Sequence, residues 1–278
     1  MPTGQVNFVV ALRAEAEPII EYFGMSPVCS VEGFYRAGNI QSGIGLIFSG
    51  IGRNNAATAV CHQACETNYA AWINVGTLVH YGLPFGEPRI AHKVYCVSTR
   101  RSWYPQFVFE PPCPTATVRT IDRISKNFPT DDLYDTEASG FYEAAAQFSP
   151  HELIHSFKVV HGSQARAGEA LPPNDISSLV EDNLKTINSL IRPLHRLSAE
   201  LRQRRVDPEE HRELLHDLHF TTTQRRQLRR LLRRWSINCP QVKVTDWVKS
   251  NGLTNASSVI TSITEHLESI PPTFGLKP

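Results

Sequence analysis

The segment 134–142 places an acidic residue, Glu137, among small and apolar neighbours. A carboxylate in such surroundings is costly to bury unless it meets a partner or a ligand hydroxyl, so Glu137 is a candidate site residue. It stands at the start of a predicted helix over 138–147. The alternative interpretation is a helix N-terminal acid that the helix dipole favours.

A second acid, Glu15, follows a continuous apolar run over 7–12, which is typical of a strand buried on both faces. A helical pattern then runs to Gly24. Glu15 is therefore predicted at a strand-to-helix junction, where ligands of parallel sheets bind. An exposed first-turn acid is the alternative, because Glu17 lies two residues further on.

Two arginines are predicted at similar junctions. Arg13 opens the first helix, and Arg53 follows a turn that contains Gly50 and Gly52. Guanidinium groups there are suited to phosphate, and ordinary surface arginines are the alternative. The two glycines predict a tight turn and lack the full dinucleotide-binding fingerprint.

The segment 151–155 matches the HExxH pattern of zinc enzymes, and His161 follows where a third ligand would stand. Zinc binding would require His151 and His155 on one helical face. An apolar run that predicts a strand begins two residues after His155 and leaves too little room for that helix. We predict neither a metal site nor a cofactor.

Composition is that of an ordinary globular protein. The chain of 278 residues is 41% hydrophobic and carries a formal net charge of +1, which gives no overall attraction to nucleic acid or membrane. Its six cysteines form no CxxC pair and are expected to be reduced. No apolar run approaches the roughly 20 residues that span a bilayer. We expect a soluble, cytoplasmic protein.

Strand and helix patterns alternate, which predicts an α/β fold with a central, largely parallel sheet. Further strands are predicted over 43–50, 71–76, 90–97 and 156–160. Four candidate residues would then lie beyond the carboxyl ends of strands: Glu15, Arg53, Thr77 and Gly162. One long helix is predicted over 174–204, bent at Pro193.

Residues 205–278 differ in character and are predicted to form a helical appendage to an α/β domain over 1–204. The segment 221–224 resembles a capping box that opens an amphipathic helix. Arginines flank its apolar stripe: Arg225, Arg226, Arg229, Arg230, Arg233 and Arg234. A solvated face, neutralised by acids between 207 and 217, is the favoured interpretation. Binding to nucleic acid or to an acidic partner is the alternative.

Five short motifs follow one another along the chain: ALRAE at 11–15, SGIG at 49–52, NVGT at 74–77, GL at 82–83 and DTEA at 135–138. Their order and spacing over about residues 5–204 resemble the purine nucleoside phosphorylase and nucleosidase superfamily. The methylthioadenosine/S-adenosylhomocysteine nucleosidase branch is the most similar. The resemblance implies a three-layer α/β/α domain with a central mixed sheet. It also implies a homo-oligomer, with a dimer favoured, and a small-molecule nucleoside as ligand.

The resemblance also implies roles for individual residues. The acid matching Glu15 positions or deprotonates the attacking water, and the acid matching Glu137 hydrogen-bonds the ribose hydroxyls. Thr77 would lie near the ribosyl carbon or a phosphate, and the segment 118–120 would meet the base. The other implied substrate contacts are Gly52, Arg53, Val118, Thr120, Asp135 and Thr136. In a phosphorylase, the phosphate would meet Arg13, Arg53 and Thr77.

Physical chemistry supports two carboxylates for such a reaction. Cleavage of a C–N glycosidic bond develops oxocarbenium character on the sugar, which a nearby carboxylate stabilises. A second carboxylate that acts on water contributes general-base catalysis.

The sequence departs from the family where the departing purine is protonated. The family has Ser-Asp after the strand, and this chain has His161 and Gly162. Either His161 substitutes for the acid, or the leaving group differs, or turnover is lost. Thr136 also replaces the family's usual Met.

Three functions follow from these observations. The favoured one is a nucleosidase that hydrolyses the N-glycosidic bond of a purine nucleoside or related ribosyl compound. A catalytically silent nucleoside-binding protein, whose Arg-rich appendage engages a partner or nucleic acid, is the rival. A phosphate-dependent phosphorylase is less expected, because the strand before Asn74 has no arginine at the family's usual phosphate-binding place.

Overall fold

The computed structural model describes residues 4–28, 34–64, 70–80, 82–123, 132–161, 171–205 and 209–270. The chain forms two compact units, Met1–Gln203 and Arg204–Pro278. Gly162, the position at which the resemblance predicts a general acid, lies outside the described residues, as do positions 207 and 208 before the first helix of the second unit.

The first unit is built on a ten-stranded sheet. Its strands are β1 (Val6–Val10), β2 (Ser26–Val28), β3 (Arg36–Asn39), β4 (Ile44–Phe48), β5 (Ala71–Leu78), β6 (Pro88–Cys96), β7 (Ser102–Trp103), β8 (Thr115–Thr120), β9 (Leu133–Asp135) and β10 (Ile154–Val160). They lie in the order β2-β3-β4-β1-β5-β10-β6-β8-β9, with β7 beside β6. The pairs β4–β1, β1–β5, β5–β10, β6–β8 and β8–β9 are parallel, and the others are antiparallel. The predicted α/β fold with a mixed, largely parallel sheet is confirmed.

Helices cover both faces of this sheet. They are α1 (Arg13–Tyr22), α2 (Arg53–Ala64), α3 (Ala138–Ala145), α4 (Pro173–Asp182) and α5 (Leu184–Arg205). Alternate residues of β1 belong to different apolar clusters, because successive side chains of a strand point to opposite faces. Phe8 packs in a cluster with α1, α4 and α5, whereas Val9 packs in a second cluster with α2 and α3. The unit therefore has three layers.

The sheet brings distant segments together at one place. The parallel strands β1, β4, β5 and β10 end at the same edge, which leads into α1 and α2. A bridge between Val79, just past β5, and Tyr134 in β9 brings the end of β9 to this edge. Asp135 and Glu137 thereby reach the neighbourhood of Glu15.

The predicted single helix over 174–204 is wrong. The structure has two helices, α4 and α5, that are separated at Asn183, and Pro193 lies inside α5. The Asn183 side chain donates hydrogen bonds to the carbonyls of Leu179 and Gly86, at 2.9 and 3.2 Å. Asparagine readily bonds backbone groups in this way and so competes with a continuing helix.

A glycine allows α3 to approach α2. A Cβ atom at Gly140 would lie only 1.9 Å from the carbonyl oxygen of Arg53. Any side chain there would push α3, which begins directly after Glu137, away from the first residue of α2.

The second unit is a small helical unit with its own core. Its helices are α6 (Glu209–Asp217), α7 (Thr222–Asn238), α8 (Val244–Ser250) and α9 (Ala256–Ser269). Leu228, Leu232 and Trp235 of α7 pack against side chains of the other three helices. The predicted capping box is confirmed, since Thr221 accepts from Gln224 N and Gln224 accepts from Thr221 N. Within the described residues, no helix of either unit is long and apolar enough to cross a membrane.

Candidate active site

A cavity of about 990 Å³ lies in the first unit. Seven of the predicted site residues line it: Arg13, Glu15, Thr77, Asp135, Thr136, Glu137 and His161. Four others do not belong to its described lining: Gly52, Arg53, Val118 and Thr120. The two acids singled out from sequence therefore share one cavity, although 121 positions separate them in the chain.

The Glu15 carboxylate accepts hydrogen bonds from two segments of the chain, the residue before α1 and the end of β5. It sits in the first turn of α1 and is only 2% exposed, so it is not a solvent-facing acid. One carboxylate oxygen accepts from the N–H and the hydroxyl of Thr77, at 2.7 and 2.9 Å. The other accepts from the N–H of Leu12 at 3.1 Å, which is half of a capping box.

These contacts leave Glu15 suited to act on a proton. Burial raises the pKa of Glu15 above its ordinary value of 4.5, although the bonds from Thr77 and the charge of Lys158 act in the opposite direction. A carboxylate whose pKa is shifted toward neutral pH is a better general base. Only one hydrogen bond from the described residues reaches Oε2, so a lone pair remains for a water molecule.

Lys158 lies between the acids of the site. It is a residue of β10 with a side chain only 1% exposed, and its ammonium lies 2.9 Å from Asp135 Oδ2. Burial acts to lower the pKa of Lys158, but the carboxylates of Asp135, Glu137 and Glu15 together raise it above 10.5. A Cβ atom on Gly76 would fall 3.3 Å from this ammonium and 3.5 Å from Glu15 Oε1, so the glycine makes room for both.

Asp135 anchors the start of α3. Its oxygens accept from the Thr120 hydroxyl at 2.8 Å and from the Ala138 N–H at 2.9 Å. The Thr120 hydroxyl oxygen accepts in turn from the N–H of Ser139 at 2.9 Å. Thr120 therefore acts behind Asp135, and Val118 is fully buried in the apolar cluster beneath α3.

Glu137 reaches across to the turn before α2. Its Oε1 accepts from the N–H of Gly52 at 2.8 Å and also from the hydroxyl of Thr136. Gly50 and Gly52 have φ values of +78° and +104°, which L side chains rarely adopt, so this turn requires glycine. The carboxylate is 7% exposed and lines the cavity, where a ligand hydroxyl is able to meet it.

The two candidate phosphate-binding arginines have acidic partners. Arg13 pairs with Glu17 at 2.7 Å on the exposed side of α1. Arg53 pairs with Asp122 at 3.2 Å and points its guanidinium toward the Cys96 sulfur.

His161 follows β10 and lines the cavity. Burial lowers the pKa of His161 below 6.5, so its imidazole is largely neutral at pH 7. A neutral imidazole donates one hydrogen bond to a departing base but is a weaker proton source than an imidazolium.

The HExxH segment does not form one helix. His151 belongs to a single 3-10 turn, whereas His155 lies in β10, fully buried and stacked on Phe107 at 5.2 Å. In the described residues, no group of three His, Cys, Asp or Glu side chains is arranged to hold a metal ion.

Sequence reasoning missed Lys158 and one cavity wall. A lysine inside a strand that is predicted to be buried was a signal for the first, because a buried ammonium needs an anionic partner. The wall comes from α4 through Pro173, Ile176 and Ser177, and the Ser177 hydroxyl donates to the carbonyl of Ala14 at 2.8 Å. No local pattern indicates that α4 packs on α1.

Known proteins were compared with the chain at the level of sequence and of structure. No family model and no curated protein sequence matches it. Solved structures do match. The 5'-methylthioadenosine nucleosidase of Arabidopsis thaliana is 16% identical, with a TM-score of 0.58 over 70% of this chain and 97% of that one. The 5'-methylthioadenosine/S-adenosylhomocysteine nucleosidase of Helicobacter pylori, in complex with butyl-thio-DADMe-Immucillin-A, is 12% identical, with a TM-score of 0.58 over 70% and 100%.

The corresponding enzyme of Neisseria meningitidis, in complex with methylthio-immucillin-A, is 18% identical, with a TM-score of 0.54 over 67% of this chain and 97% of that one. These likenesses span almost the whole of each enzyme, but sequence identity is low. The resemblance inferred from the motifs is therefore confirmed at the level of the fold, which this chain shares with these nucleosidases.

Proposed function

We propose that this protein hydrolyses the N-glycosidic bond of a purine nucleoside or a related ribosyl compound. The observation that carries the proposal is that Glu15 and Glu137, both buried, line one cavity. Its volume of about 990 Å³ is at the upper end of the range for small-molecule sites and is sufficient for a nucleoside. The names of the structural neighbours, which are nucleosidases, support the same substrate class.

In the proposed reaction, Glu137 accepts hydrogen bonds from the ribose hydroxyls and holds the sugar. Glu15 accepts a proton from a water molecule whose oxygen bonds to the ribosyl carbon as the C–N bond breaks. The bonding electrons leave with the base, which takes up a proton from solvent water, and Glu15 later returns its own proton to the solvent. The carboxylates stabilise the positive charge that develops on the sugar.

Charge in the cavity favours water over phosphate as the nucleophile. The side chains that line the cavity carry five carboxylates and two arginines, and the buried Lys158 ammonium lies close to three of the carboxylates. The carboxylates are those of Glu15, Glu17, Asp122, Asp135 and Glu137, and the arginines are Arg13 and Arg123. Arg13 and Arg53 are already paired with acids. A phosphate dianion would therefore meet net repulsion, which supports hydrolysis rather than phosphorolysis.

The second candidate function is nucleoside binding without turnover. The largely neutral His161 favours it, because the missing family acid would have to be replaced by a poor proton donor. Loss of a general acid typically costs about 10²- to 10⁴-fold in rate.

A nucleoside panel, assayed for release of free base with and without phosphate, tests the two candidates. Hydrolysis predicts release that does not need phosphate and falls at least about 10²-fold in Glu137→Gln. Thermal stabilisation by a nucleoside without release would select the silent binder. Equal release by the wild type and Glu137→Gln would remove Glu137 from the site.

Two further parts of the proposal are the assembly, which rests on the family resemblance, and the location, which rests on six cysteines without a CxxC pair. We expect a homo-oligomer, with a dimer favoured, and a cytoplasmic location. Sedimentation of the full chain tests the first and fractionation of cells tests the second. The division into a nucleosidase-like domain over 1–204 and a helical appendage over 205–278 is likewise part of the proposal.

A further inference from the structure

One row of arginines runs along the outer face of α7. Arg226, Arg230 and Arg234 recur every four residues and are all exposed. Within the described part of the chain, no hydrogen bond or ion pair involves their side chains. The helix itself contains no acidic residue. We define these three residues as the arginine row.

The opposite face of α7 packs into the apolar core of the second unit. Leu228, Leu231, Leu232 and Trp235 are at most 4% exposed and pack within the second unit. The helix therefore has no free apolar face to insert into a bilayer, which a membrane-surface helix needs. The apolar side chains of α7 are already buried in the core of the second unit, whereas the arginine row takes no part in that core.

The chemistry of the row favours phosphate over an acidic protein. All six basic residues of α7 are arginines, and the guanidinium fork matches phosphate oxygens with two parallel hydrogen bonds. Protein interfaces also use arginine, but together with buried aromatic anchors such as Trp and Tyr. The one large apolar side chain that α7 exposes is Ile237, at 78%.

Spacing and reach also fit a nucleic acid backbone. Four residues of helix advance about 6 Å, so the row spans about 12 Å. Phosphates of one DNA strand repeat about every 3.4 Å along the duplex axis, so the row covers about three or four of them. Arg225 flanks the row, and its Nε donates to the carbonyl of Phe220 at 3.1 Å.

We propose that the arginine row binds the phosphate backbone of a nucleic acid without reading its sequence. This is a second binding activity of the chain, independent of the nucleoside cavity. It arises from local charge on one helix, because the chain as a whole carries a net charge of only +1.

The test measures binding of the full chain to a labelled 20-base-pair DNA duplex between 50 and 200 mM NaCl by fluorescence anisotropy. Arg226→Gln, Arg230→Gln and Arg234→Gln are combined in one variant. We expect it to bind at least about tenfold more weakly at 50 mM salt. The slope of log K against log salt should fall by about 2 to 3, as the loss of three phosphate contacts predicts.

A matched control removes three exposed cations from α5: Lys185→Gln, Arg192→Gln and Arg196→Gln. It lowers the net charge equally, and we expect wild-type affinity and slope. Circular dichroism verifies that both triple variants keep their helices.

Three results would overturn the proposal. The first is no binding by the wild type at 50 mM salt, and the second is equal weakening by both triple variants. The third is competition by poly-glutamate as effective as that by unlabelled duplex of the same charge, which would assign the row to an acidic protein.

Discussion

The ammonium of Lys158 lies 2.9 Å from the Asp135 carboxylate, and neither side chain is more than 1% exposed. The same ammonium is close enough to Glu15 and Glu137 for their charges to stabilise it. Asp135 also caps α3 through the Ala138 N–H. The buried Lys158 ammonium therefore interacts with Asp135, which anchors the start of α3. It also interacts with Glu15 and Glu137, the two acids proposed to act in catalysis.

Two variants separate the structural role of Lys158 from its effect on the site. Lys158→Met leaves Asp135 buried without its cation and should destabilise the fold by about 3 to 5 kcal/mol. Adding Asp135→Asn removes that charge and should restore most of the stability, measured by urea unfolding. The double variant should still turn over poorly, because Glu15 has lost the cation that lowers its pKa.

The pH profile of kcat/KM decides between the two roles. Glu15 must be ionised to act as a base, and its pKa should be higher in the double variant. The part of the kcat/KM profile that rises with pH should therefore move to higher pH. Recovery of both turnover and the wild-type profile would mean that Lys158 acts only through Asp135.

Thr77→Val tests the hydroxyl that holds Glu15. This change removes the 2.9 Å hydrogen bond to Oε1 and keeps the backbone bond. Loss of a bond to the charged form should raise the pKa of Glu15 further and lower kcat/KM about tenfold on the acidic limb. Thr77→Ser keeps a hydroxyl and should resemble the wild type. Equal losses in both variants would show that side-chain shape, not the hydrogen bond, matters.

Glu15 should also affect the pH dependence of stability. Because its pKa is raised in the folded state, its contribution is complete below 4.5 and is lost as pH rises through the folded value. The difference in unfolding free energy between the wild type and Glu15→Gln (wild type minus variant) should therefore fall as pH rises from 4 to 8. Glu17→Gln removes a carboxylate of the same type from an exposed position of the same helix and is the comparison variant. A flat difference for Glu15→Gln would contradict its burial as an ionisable group.

His155 should make the fold sensitive to acid. Burial lowers its pKa to about 4, from 6.5, so the unfolded chain binds its proton first as pH falls. The wild type should lose up to about 3 kcal/mol between pH 7 and pH 4 through this group. His155→Gln should lack this component, as urea unfolding at several pH values can measure. Parallel pH curves for both proteins would exclude His155 as the cause.

Local sequence patterns predicted the elements that are determined by residues close together in the chain. The apolar run that forms β1 is a strand, and the 221–224 capping box begins α7. Glu137 was identified because an acid among small and apolar residues is costly to bury, and Glu15 because it follows a strand that is buried on both faces. The break at Asn183 was missed; its side chain bonds the nearby Leu179 carbonyl and also that of Gly86, which is far away in the chain.

Long-range pairing explains the other differences between sequence and structure. The approach of β9 to β5 rests on a single bridge from Val79 to Tyr134, which no periodicity indicates. Val118 was expected to meet the base, but β8 presents it to the core beneath α3. Lys158 belongs to the site only because β10 pairs beside β5 and faces the end of β9.

A crystal structure with a non-hydrolysable purine nucleoside analogue is the most direct test of the central claim, that Glu15 and Glu137 act on one sugar. We expect the ribose hydroxyls within about 3.2 Å of the Glu137 carboxylate. We also expect the ribosyl carbon to face Glu15 across a single water molecule. A nucleoside bound elsewhere, or a ribose within reach of only one of these acids, would contradict it.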